Sequence, residues 1–64
     1  MKVRITPQGR EIEVTGVRTV HGLLAHLGVL EGTVLVIRGE ALLTTDSQLA
    51  DDQTIEIRSV VSGG

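Results

Sequence analysis

Val20-His21-Gly22-Leu23-Leu24-Ala25-His26-Leu27-Gly28 decides how the rest of this 64-residue chain is arranged. Val20, Leu23, Leu24 and Leu27 fall at i, i+3, i+4 and i+7, one apolar stripe of a helix. Thr19, just before it, offers a hydroxyl as N-cap for one of the amides that a helix start leaves unpaired. Gly28 is suited to the left-handed C′ position, and Val29 to the hydrophobic contact that accompanies that cap. Only about two turns fit between these signals, too few to be stable alone in water. The helix therefore has to be held by a sheet, and the flanking sequence supplies one.

Upstream, Lys2-Val3-Arg4-Ile5-Thr6 alternates charged or polar with apolar residues, the period of a half-buried strand. Pro7-Gln8-Gly9-Arg10 is a turn, and Glu11-Ile12-Glu13-Val14 alternates again, so the first fourteen residues predict a β-hairpin. Downstream, Thr33 to Arg38 is a third strand, apolar from Val34 to Ile37, and Gly39-Glu40 turns the chain into a brief strand at Ala41-Leu42-Leu43. Thr44 to Leu49 reads as a loop in which Asp46 or Ser47 can cap a single helical turn, with Leu49 plugging the bottom of the core. After the polar turn Asp51-Asp52-Gln53, residues Thr54 to Val60 form the final strand. Strands grouped around one crossover helix make an α+β two-layer fold. A hairpin-helix-strand path closes compactly when the first and last strands pair in parallel at the centre. The expectation is a β-grasp (ubiquitin-like) domain over residues 1–60, a mixed four- to five-stranded sheet with one helix across one face. Residues 61–64 are expected to be a flexible C-terminal Gly-Gly tail.

Composition narrows the function. The chain has no Cys and no aromatic residue, so there is no disulfide or zinc staple and the core has to come from Val, Ile, Leu and Ala. The formal charge of −2 argues against direct nucleic-acid binding, where a basic face is the usual footprint. No apolar run approaches the length of a bilayer span and no signal-peptide core is present, which makes the cytoplasm the expected location and excludes a membrane partner. His21 and His26 are five apart, not on one helix face, and nothing completes a metal set. Ser59, Ser62, His21 and Asp46 have no spacing that supports a triad, and Asp46, Asp51 and Asp52 do not follow a calcium-loop pattern. No intrinsic active site, catalytic residue or bound cofactor is expected.

The notable end is Val60-Val61-Ser62-Gly63-Gly64, directly after the last strand. Without Cβ atoms, two terminal glycines can thread a slot too narrow for a side chain. That suits a tail delivered into another protein's active site, although chain ends are also commonly just tolerant of change. Alternation gives a docking face beside it. Setting Arg38 in solvent turns Val34 and Val36 outward with it and Leu35 and Ile37 inward. Ile55 and Ile57 facing in place Glu56, Arg58 and Val60 outward. The expected docking residues are thus Val34, Val36, Arg38, Arg58 and Val60, outward valines rimmed by Arg4, Arg38 and Arg58. An apolar centre with a charged rim is how transient interfaces are built, while scattered surface valines are ordinary.

In strand order, length and the Ser62-Gly63-Gly64 ending, the whole chain resembles the ubiquitin-like sulfur carriers: the thiamine-thiazole carriers (ThiS), the molybdopterin synthase small subunits (MoaD) and the tRNA 2-thiouridine carriers (TtuB). Val36-Ile37-Arg38-Gly39-Glu40, Leu42-Leu43-Thr44, Ser59 and the terminal Ser62-Gly63-Gly64 look closest to the thiouridine carriers. Thiamine carriers typically show an Asn-Gly turn and a Pro-Arg pair where this chain has Arg38-Gly39 and Leu43-Thr44-Thr45. Molybdopterin subunits are usually longer, with proline before the terminal glycines instead of Val60-Val61. The resemblance implies that a partner activating enzyme adenylates Gly64 and that the glycine becomes a thiocarboxylate. It also implies further partners, a sulfur-transfer enzyme and a sulfur-acceptor enzyme.

The residues are compatible with that chemistry. A terminal carboxylate, with a reference pKa of ~3.5, is anionic at neutral pH and a poor electrophile until activated. The scattered glycines make no nucleotide-binding loop, so ATP has to be bound by the partner. With no Cys, sulfur carried by this chain has Gly64 as its place. The same activated glycine also fits a ubiquitin-like modifier conjugated through Gly64 to lysines of other proteins, and the sequence leaves both classes open.

Overall fold

Residues 1–60 are described by a computed structural model; the tail residues Val61, Ser62, Gly63 and Gly64 lie outside the described residues. The opening alternation folds as an antiparallel hairpin of β1 (Lys2–Thr6) and β2 (Arg10–Glu13), with Val3 opposite Ile12. The apolar stripe becomes α1 (Val20–Leu27). A 3₁₀ turn at Glu31–Thr33 leads into β3 (Val34–Arg38), followed by β4 (Ala41–Leu43) and β5 (Thr54–Ser59). The sheet order is β2-β1-β5-β3-β4, with β1 and β5 parallel at its centre and the other pairs antiparallel. This is the β-grasp arrangement, with five strands.

The helix is bounded as its caps dictate. The Thr19 hydroxyl accepts from the Gly22 amide at 3.0 Å. Gly28 takes φ 71°, a backbone region that costs a residue with Cβ about 1–2 kcal/mol, and the Val29 amide donates to Leu24 O at 2.9 Å. Val29 packs partly into the core, as the cap motif requires. Two more first-turn amides need partners. Val20 N donates to Ser47 O and His21 N to Thr45 O. The 44–49 loop is thus an external cap for α1, and the single helical turn expected at Asp46 or Ser47 does not form. Thr45 and Asp46 instead make a tight turn closed by Ser47 N on Thr44 O, and the Thr45 and Ser47 carbonyls are taken by the amides of α1. A Thr19–Gln48 bridge and Leu49 N on Arg18 O complete the seam.

Val3, Val20, Leu23, Leu24, Val36, Leu49, Ile55 and Ile57 are buried between α1 and one face of the sheet. Val14 and Met1 join them, Met1 at 2% exposure. The expectation of a core from Val, Ile, Leu and Ala alone therefore missed a methionine, while Ala25, Ala41 and Ala50 are exposed. Methionine's unbranched chain fills irregular gaps that branched residues leave.

The phase of β3 is the main correction. Val36 is 4% exposed and stands opposite Ile57, so it points into the core. Val34 is half-buried against the same cluster, whereas Leu35 is 37% exposed. The expected outward placement of Val34 and Val36 is reversed. A continuous apolar strand has no alternation to phase it, and a slip of one residue exchanges the two faces. Arg38 misled because a long side chain escapes an inward position by extending along apolar surface. Its guanidinium donates to Gln48 O at 3.0 Å and to Gln53 Oε1 at 3.3 Å, fastening the loop instead of standing free in solvent.

Candidate functional site

With α1 covering one face of the sheet, the other face is open, and pairing register arranges it in three cross-strand rows. Glu13, Lys2 and Thr54 make the first; Glu11, Arg4, Glu56, Ile37 and Leu42 the second; Thr6, Arg58 and Leu35 the third. Strand character explains the gradient along them. The hairpin strands alternate charge with apolar residues, so their open side is ionic; β4 and all of β3 but its final Arg38 are apolar, so theirs is not.

Leu35, Leu42 and Val60 are 37%, 64% and 48% exposed, the large apolar side chains that this end of the sheet leaves uncovered. Ile37 lies among them, half-buried. Val60 is the last described residue, and its amide donates to Thr33 O at 3.1 Å. The chain thus leaves the sheet beside the apolar patch, tethered one residue past β5. Val60 and Arg58 are exposed as expected of docking residues; Val34 and Val36 are on the wrong face for that role, and Arg38 is tied to the loop.

The expected positive rim is internally neutralised. Arg58 binds Glu56 through Nε at 3.1 Å and Nη2 at 2.8 Å, a forked contact on one carboxylate oxygen. Thr6 Oγ1 donates to the same oxygen at 3.4 Å. Arg4 sits 3.8 Å and Lys2 3.9 Å from Glu11. Exposed pairs such as these are weak and screened by salt.

Sequence reasoning missed Leu35, Ile37 and Leu42 as surface residues. The one available signal was indirect: Ile55 and Ile57 phase β5 correctly, and an antiparallel partner whose register is known inherits that phase. The register itself is set by tertiary pairing and is not written in β3.

No other constellation competes among the described residues. His21 is paired through Nδ1 with Glu31, a contact from α1 to the 3₁₀ turn. Asp46 accepts from Thr44 Oγ1. Neither approaches Ser59 in a shared network, and Ser62 lies outside the described residues. No group of three metal-ligating side chains gathers among the described residues, and no described helix is long and apolar enough to cross a membrane. Every buried side-chain polar atom there has a partner.

Comparison with known proteins adds one relative. The sulfur carrier protein TtuB of Thermus thermophilus is 40% identical over 58 residues, covering 91% of this chain and 89% of that protein. No family model matches the chain.

Proposed function

Because the chain belongs to the family of sulfur carrier proteins that includes TtuB, we propose that Gly64 is adenylated by a partner enzyme, converted to a thiocarboxylate, and used to donate sulfur for 2-thiolation of tRNA. The observation that carries this reading is the course of β5. It is the central strand, held on both sides by β1 and β3, and it runs directly into the Ser62-Gly63-Gly64 end. A tail needs a rigid base if its last atom is to be placed for reaction, and a strand bonded along both edges is such a base.

Each participant is what membership of the sulfur carriers implies, and the chain is compatible with each. ATP is bound by the activating enzyme, since the chain has no phosphate-binding loop; the chain itself acts as carrier and not as enzyme. The activating enzyme docks on Leu35, Leu42 and Val60, with Arg58 and Glu56 at the edge of the contact. Burial of such a patch, with a polar rim exchanging ion pairs, matches transient interfaces. A sulfur-transfer enzyme then supplies the sulfur, and an acceptor enzyme passes it to the tRNA, all in the cytoplasm. Similarity to the tRNA 2-thiouridine carriers favours tRNA over thiamine thiazole as the destination.

The test is adenylation of tail variants by the activating enzyme of the source cell with ATP. Removing Gly64 draws the carboxylate back by roughly 3.3–3.6 Å, and misplacement by about 1 Å can already cost about a hundredfold in rate. Adding one residue after Gly64 hands the reactive carboxylate to that residue. Both variants lose adenylation without a change in melting temperature. Wild-type adenylation of an extended chain that is not trimmed back would contradict the assignment of Gly64.

A further inference from the structure

Activated acyl groups react with amines and thiols, and this chain has almost none. It has no cysteine, and of its six cationic side chains only that of Lys2 is a primary amine. The other amine, at Met1, belongs to a buried residue, donates to Val14 O at 2.8 Å in a buried hydrogen bond and lies 3.1 Å from the Glu13 carboxylate. Lys2 differs on each count. Its side chain is 53% exposed on the open face of the sheet, and its ammonium is 3.9 Å from Glu11, a loose exposed pair.

We propose that Lys2 is a self-modification site: the acceptor through which Gly64 of one copy is joined to a second copy of this chain. The inference rests on the reading that Gly64 is activated. The lone pair of the deprotonated Lys2 Nζ attacks the Gly64 carbonyl carbon of the adenylate. A C–N bond forms, the C–O bond to the phosphate breaks, and AMP leaves with the electron pair. The amine proton passes to water or to the Glu11 carboxylate. The product is an isopeptide, and because each copy has one acceptor and one tail, longer products are unbranched.

Topology selects linkage between copies over ring closure. Lys2 pairs with Thr54, so it stands where β5 begins, and the tail departs from the opposite end. The six residues of β5, at about 3.3 Å each, separate the two by roughly 17 Å. The residues after Ser59 span about that distance only when fully extended, and they would have to double back along their own strand. A second copy meets no such constraint. Lys2 also lies in the first cross-strand row, away from Leu35 in the third, so an acceptor copy keeps its apolar patch free.

The experiment uses a Gly64 thioester of the full chain made by intein cleavage, its reactivity confirmed by capture with free cysteine. Because no activating enzyme takes part, failure here is distinguishable from failure of Gly64 adenylation. The thioester is mixed with unactivated chain at mildly alkaline pH, and linked species are digested with trypsin and fragmented. The expected result is a linked dimer with the hexapeptide Ser59–Gly64, left by cleavage after Arg58, on Lys2. Lys2→Arg as the acceptor loses the dimer while keeping its fold, since Lys2 is exposed. Linkage at Met1 as the main product, dimer formation that persists with Lys2→Arg, or no dimer from a thioester that cysteine captures would each overturn the proposal.

Discussion

Val36 and Leu35 are neighbours in one strand, yet they belong to the two halves of this protein's work. Val36 faces α1 and is packed against Ile57 and the helix; Leu35 faces away, beside Arg58. The buried core on the covered side is wholly apolar, with Arg38 reaching out from its margin, and no polar or charged residue is buried among the described residues. The open side carries ion pairs at the hairpin and bare leucines at β3 and β4. On the proposed function, this contrast is how a chain this small would separate stability from recognition. Strands alternate their side chains, so one sheet can give one face to folding and the other to a partner, and a short helix suffices to decide which is which.

That division is broken or sharpened by substitution, beginning with the largest effect. Val36→Asp places a carboxylate in the core with no partner, at a cost of several kcal/mol, which is most of the stability of a domain this size. The variant is expected to be largely unfolded by circular dichroism. Leu35→Asp, one residue away, trades a partly covered leucine for a poor strand former and should cost about 1 kcal/mol, far less than Val36→Asp, yet slow adenylation, since docking would bury the new charge. Equal melting of the two variants would mean the phase of β3 is wrong. Next, Leu24→Ala leaves a cavity under the helix and is expected to cost about 2–5 kcal/mol in denaturant unfolding. A mutant that unfolds with the wild type would remove α1 from the core.

The smallest effect is expected at the rim. Arg58→Glu breaks the forked contact with Glu56 and sets two like charges together, worth about 1 kcal/mol or less at an exposed site. Its influence on adenylation should shrink as salt rises. A deficit that is the same at low and high salt would point to lost packing and not to charge.

How much of this was legible in the sequence depended on whether a signal was local. The hairpin, the stripe of α1, the Thr19 cap and the Gly28 stop all lie within a few residues of what they specify, and they read correctly. The parallel β1–β5 pairing followed from the short crossover helix, which leaves little choice of path. Three things were settled elsewhere in the chain. The face of β3 is set by its register with β5, the shape of the 44–49 loop by the amides of α1 that it satisfies, and the burial of Met1 by a gap that only the folded core defines. The exposed face suffered most: Arg58 and Val60 are exposed as expected, but Val34 and Val36 turn toward the core, and Leu35 and Leu42 are the exposed apolar residues of β3 and β4. The assignment of Gly64 came from the tail's chemistry and from family resemblance, and it lies outside the described residues.

The central claim is that Gly64 carries the sulfur. Intact-mass spectrometry of the protein isolated from its own cells while they thiolate tRNA tests it most directly. The account predicts a fraction of molecules heavier by the difference between sulfur and oxygen, with fragmentation placing the exchange on the terminal glycine. Loss of that species when the activating enzyme is deleted completes the prediction. A mass that never shifts in actively thiolating cells, or a sulfur atom located on any residue other than Gly64, would contradict it.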